Sequence, residues 1–228
     1  MLVAAHPDDI DFGAAGTVAT WTSSGVDVAY CIVTDGDAGG FDLDFPRAEM
    51  GPLRRREQTD AAAEVGVDEL HFLGYADGYL EVSLELRRDI ARVIRQVRPD
   101  RILIPSPEII YERIYPSHPD HRAAGEAALN AIYPDARNPF TFPELRAEGL
   151  EAWTVPETWI MAHPKTNHAV DITEVFERKL AALRAHKSQT AHHDDLEGML
   201  RGYLGTLAEE HGLGEDRLAE AFYVIATG

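Results

Sequence analysis

The sequence is short of three things, and each shortage excludes something. It contains one cysteine, Cys31. With no second thiol an intrachain disulfide is excluded, and a reducing, cytoplasmic setting is expected. Cys31 sits in the apolar run "AYCIVT", where a small core residue is the ordinary reading. No apolar run approaches the roughly 20 residues that a membrane-spanning helix requires. The first apolar stretch is too brief, and lacks the basic flank, for a secretory signal, so none is expected. Basic residues are also scarce: 21 Lys and Arg stand against 39 Asp and Glu, a net charge of −18. Phosphate backbones are held by basic surface, so nucleic acid is not an expected partner, and anionic membrane surfaces are disfavoured for the same reason.

What is present is a hydrophobic fraction of 45% over 228 residues, enough for one sizeable core. Short β-rich runs at 2–5, 27–34, 69–74, 101–105, 158–162 and 168–172 alternate with amphipathic stretches. Those stretches lie near 13–24, 48–65, 81–97, 120–132, 173–187 and 194–210. Pro99 stops the third of them. Strand–helix alternation with continuous apolar strands predicts a Rossmann-like α/β fold: a mainly parallel sheet with helices on both faces. No linker divides the chain, so a single domain over 1–228 is expected, with the proline-rich segment 134–156 as an excursion, either a lid or a contact surface. A homo-oligomer is compatible with this reading.

Ligands of such sheets bind beyond the carboxyl ends of the strands. Four polar, turn-rich segments fall there: "HPDDID" from His6, "TDGDAGG" at 34–40, "GYADG" at 74–78 and the stretch from Pro105 to "SHPDH" at 117–121. His118, Asp120 and His121 read as a helix start, with Ser117 as the candidate cap and Pro119 tolerated in the first turn. A lone "HPDD" is as readily a capped turn as a site. Two such motifs on one predicted edge offer His6, Asp9 and His121 together, and two histidines with one carboxylate are a catalytic-zinc donor set. Another divalent ion such as Fe2+ suits the same donors. A nucleotide-binding module is the rival of a different class. It is weakened because the first turn has no G-x-G-x-x-G and its acids would repel a pyrophosphate.

On these motifs the chain resembles the LmbE-like (PIG-L) zinc deacetylases. The resemblance rests on "AAHPDD" at 4–9, "TDGDAG" at 34–39, Arg54 and Glu57, "FLGYADG" at 72–78, "HPDH" at 118–121, "VDIT" at 170–173 and "HKSQ" at 186–189. It implies a hydrolase that removes the N-acetyl group from a small amino-sugar derivative. It implies zinc on His6, Asp9 and His121, with Asp8 as general base. His118 would stabilise the oxyanion or donate a proton, Asp120 would orient His118, and Arg54 and Asp77 would contact the sugar. A solvated face for Arg54, in "RRRE", is the plainer alternative. The sequence departs from the family pattern twice. Ile10 stands where many members carry Glu. Pro116 stands where some carry a carbonyl-polarising tyrosine, which leaves Tyr111, Tyr115 or His118 alone for that task. A hydrolase of another small amide, such as a thiol conjugate, and a catalytically silent zinc protein complete the alternatives.

Overall fold

The computed structural model describes residues 1–228. Seven strands form one sheet: β1 (Leu2–Ala4), β2 (Ala29–Thr34), β3 (Glu69–Tyr75), β4 (Arg101–Pro105), β5 (Glu157–Met161), β6 (His168–Asp171) and β7 (Ala219–Ala226). Their spatial order is β3-β2-β1-β4-β5-β7-β6. The first five run parallel, and β7 lies antiparallel between β5 and β6. The expected fold class is borne out. β7 is a strand that the apolar pattern does not announce.

Eight helices accompany the sheet: α1 (Asp9–Ser23), α2 (Arg47–Glu64), α3 (Leu84–Val97), α4 (Pro119–Asn130), α5 (Pro143–Ala147), α6 (Phe176–Ala185), α7 (Lys187–Thr190) and α8 (Leu196–Glu210). No helix is long and apolar enough to cross a membrane. Successive side chains of a strand point to opposite faces, and β1 shows the result. Val3 joins a core with Ile90 and Ile94 of α3 and Ala124 of α4, whereas Leu2 and Ala4 join Ala14 and Val18 of α1 and Ala61 of α2. Both faces are covered, which is why the strand reads as unbroken apolar sequence. Ser83 caps α3, its Oγ accepting from Leu86 N at 3.1 Å.

Segment 134–156 packs against α3. Arg95 of α3 donates to the carbonyls of Asp135, Ala136, Asn138, Thr141 and Leu150. Trp153 Nε1 donates to Pro99 O, just before β4 begins. Ala136, Leu145 and Val155 belong to the α3–α4 core. The segment therefore walls that core near the strand amino ends, on the far side of the sheet from the polar loops.

The chain order reverses about β1, with β2 on one side and β4 on the other. In a doubly wound sheet the crevice at this point is the ligand site. One glycine fixes the approach of α4 to it. A Cβ at Gly125 would lie 2.2 Å from Pro105 O, so only glycine lets α4 close on the end of β4.

Candidate active site

His6 leaves β1 and points into this crevice, where α4 brings His118, Asp120 and His121 and the β3 loop brings Asp77. His6 Nε2 lies 3.0 Å from Asp77 Oδ1 and 3.2 Å from Asp120 Oδ2. Carboxylates only accept, so these two oxygens place a proton on Nε2 and leave the Nδ1 lone pair free. Nδ1 faces His121 Nε2 at 3.2 Å and Asp9 Oδ2 at 3.5 Å. His121 Nδ1 faces the Pro116 carbonyl at 3.3 Å, which puts its proton there and frees Nε2. That Nε2 lies 3.0 Å from Asp9 Oδ1.

Two nitrogen lone pairs and one carboxylate thus converge, with separations of 3.0–3.5 Å. Tetrahedral donors around a zinc at about 2.0–2.1 Å stand about 3.3 Å apart, so the donor set fits such an ion. His118 clusters with the same two histidines, and Asp77 and Asp120 form a second cluster about His6. The hydrogen bonds distinguish the two. Asp77 and Asp120 face the protonated nitrogen and support the ring, as carboxylates behind metal-binding histidines do.

The electrostatics agree with this division. Burial alone would pull His6 down, but the Asp9 charge and hydrogen bonds to Asp120, Asp77 and Asp9 push its pKa up to about 12. Burial also opposes the charged form of Asp9, yet charges and hydrogen bonds from His121 and His6 hold it well below its ordinary range. Burial raises Asp8 to about 6, against the pull of Arg54 and with the push of Asp9. Burial lowers His118, and the charges of His6 and His121 lower it further.

Several expected roles change. Asp120 does not orient the His118 ring through its carboxylate. Those oxygens accept from His6, from Gly78 N at 2.7 Å and from Leu80 N at 3.3 Å. The Asp120 backbone N–H instead donates to His118 Nδ1 at 3.2 Å, so His118, not Ser117, caps α4. Ser117 Oγ accepts from Ile110 N. Nδ1 is thereby an acceptor, and the neutral ring carries its proton on Nε2. Arg54 is not a solvated residue. It is 4% exposed and donates to Pro7 O, Asp8 Oδ2 and Gly36 O. A Cβ at Gly36, where φ is +61°, would strike the guanidinium at 2.4 Å. Asp77 is buried too, with one oxygen on His6 and the other accepting from Ala38 N. Tyr111 and Tyr115 are exposed on the β4–α4 connection.

Sequence reasoning passed over Gln58 and assigned no role to Asp11 or His186, and all three are fully buried beside Asp8. Gln58 lies four residues after Arg54 on α2, the spacing that puts two side chains on one helical face, and this was the available signal.

Fold and site together describe a doubly wound α/β protein with a histidine–carboxylate pocket at its switch point. The chain belongs to the PIG-L (GlcNAc-PI de-N-acetylase) family, whose model matches residues 1–132. It is 36% identical over 222 residues to a diacetylchitobiose deacetylase of Thermococcus kodakarensis, covering 96% of this chain and 80% of that one. It is 32% identical to a probable N-acetyl-alpha-D-glucosaminyl L-malate deacetylase of Bacillus cereus, over 83% of each chain. The solved N,N'-diacetylchitobiose deacetylase of Pyrococcus horikoshii superposes with a TM-score of 0.87 at 32% identity, covering 98% of this chain and 82% of that one. A hydratase of Pseudomonas putida, GalB, has a TM-score of 0.79 at 20% identity, covering 98% of this chain and 94% of that one, a likeness of fold alone.

Proposed function

We propose that this protein is a zinc-dependent N-deacetylase of a small N-acetylglucosamine-type sugar, with His6, Asp9 and His121 as the metal ligands and Asp8 as the general base. Membership of the family makes it a deacetylase, and its relatives act on amino-sugar derivatives. The observation that carries the metal assignment is the convergence of His6 Nδ1, His121 Nε2 and Asp9 at 3.0–3.5 Å, each histidine held in the required tautomer by its other nitrogen.

A zinc ion there would polarise the amide carbonyl and ease deprotonation of a water. Asp8 takes the proton of the attacking water. Its pKa near 6 suits a base that must give the proton up again. The neutral His118 meets the developing oxyanion with its Nε2–H, since Nδ1 is occupied by the α4 amide. A proton passes to the amine nitrogen as the C–N bond breaks, releasing acetate and free amine. Arg54 and Asp77 act by holding Asp8 and His6 in place.

The test uses chelated protein, reloaded with zinc and offered N,N'-diacetylchitobiose, N-acetylglucosamine and a simple N-acetyl amine. Amine release should need the metal and should favour the sugars. Release from no substrate by reloaded protein would sink the enzyme assignment. Equal rates on the sugars and the simple amine would remove the amino-sugar specificity.

A further inference from the structure

Asp8 is held in a conformation that it would not choose. Its φ is +85°, in the left-handed region that a residue with a Cβ seldom enters. Something must keep it there, and two groups from one face of α2 do so. Arg54 grips the Pro7 carbonyl and the Asp8 carboxylate. Gln58 Oε1 accepts the Asp8 backbone N–H at 2.8 Å.

Gln58 is itself held. Its Nε2 donates to Asp11 Oδ2 at 2.8 Å, and the same oxygen accepts from His186 Nε2 at 2.8 Å. The amide has one orientation available, because its neighbours are a donor at one end and an acceptor at the other. Gln58, Asp11 and His186 are each wholly buried, so water cannot replace a lost partner. His186 stands at the joint of α6 and α7, and the next turn is tied to α2 by Ser188 on Glu57, at 2.8 and 2.6 Å. The chain of bonds thus runs from the α6–α7 joint through α1 and α2 to the peptide of Asp8.

Resting on the proposed function above, we infer that Gln58 is a positioning residue for the general base, backed by Asp11 and His186. It touches no substrate. It holds the left-handed Asp8 peptide so that the carboxylate faces the water to be deprotonated. Loss of that hold should reduce the chemical step and leave binding and metal alone. A displacement of about 1 Å at a reacting group can cost on the order of 100-fold.

The experiment compares zinc-loaded wild type with Gln58→Met, Gln58→Glu and the pair Gln58→Glu/Asp11→Asn. Zinc content, kcat, KM and hydrogen exchange at the Asp8 amide are read together. Gln58→Met should lower kcat about 10- to 100-fold, with KM and zinc unchanged and faster exchange at Asp8. Gln58→Glu keeps an acceptor for Asp8 but sets a carboxylate against Asp11. Adding Asp11→Asn restores a donor–acceptor pair of reversed polarity, with the His186 proton moving to the unpartnered Nδ1 so that Nε2 accepts, and should recover most of kcat, which mere filling of space would not do. A kcat within two-fold of wild type in folded Gln58→Met, or unchanged exchange at Asp8, overturns the inference. If Gln58→Met does not fold, the pair decides: recovery supports the inference and no recovery overturns it. Should wild type hydrolyse no sugar, the functional reading falls, and the exchange measurement alone decides whether Gln58 holds Asp8.

Discussion

Two clusters of buried charge lie along one helix and are built on different plans. Midway along α1, Lys179 and Glu220 pair at 2.7 Å, both essentially without exposure. The charged groups there are matched donor for acceptor. Lys179 spends its other two donors on the carbonyls of Asp11 and Phe12, and Glu220 accepts the amides of Gly16 and Thr17. At the first turn of α1 the balance is broken. Asp8, Asp9, Asp77 and Asp120 gather around histidines, and Arg54 is the one permanent cation in contact with them. The surplus of carboxylate at the first turn is what the proposed metal would offset. Completeness marks the structural cluster and deficit marks the reactive one.

The comparison can be broken by substitution. The largest effect belongs to Asp8→Asn, which should lower kcat by about 10²–10⁴-fold with zinc retained. Because it removes one charge from a crowded carboxylate group, its melting temperature should equal or exceed that of wild type. Calorimetry beside amine-release assays checks both halves. Lys179→Met should do the opposite. It strands Glu220 and should cost about 3–5 kcal/mol of stability, with kcat per folded molecule unchanged. If both variants lose stability alike in urea melts, the distinction drawn between the clusters is wrong. The smallest effect sharpens the scale. Ser83→Ala, at the α3 cap away from both clusters, should cost about 1 kcal/mol and leave turnover untouched.

The parallel half of the fold was legible because its strands are buried on both faces and read as plain apolar runs. β7 was not. "AEAFYVIA" opens with helix formers, and Glu220 places a charge at a buried position, its partner Lys179 lying 41 residues earlier. The start of α1 was placed four residues late because Asp9 and Asp11 look like loop residues, although acids suit a first helical turn. In the site, the residue types and their convergence on one edge were readable from spacing. The partnerships were not, because local spacing pairs Asp120 with His118, while the oxygen that Asp120 offers reaches His6, 114 residues away. Arg54 and Asp77 entered as substrate contacts through the family resemblance, and a sequence does not show that Arg54 also holds Pro7 and Asp8 or that Asp77 also holds His6.

The Lys179–Glu220 clasp also bears on the order in which the molecule can be assembled. The two amides of α1 that it receives are separated from Glu220 by 203 and 204 residues. A nascent polypeptide leaving the ribosome therefore carries its first helix to the surface long before the strand that completes it. The portion matched by the family model, residues 1–132, contains all eight proposed and expected site positions, yet neither half of the clasp. Expressed alone, that portion should remain an incompletely ordered chaperone client.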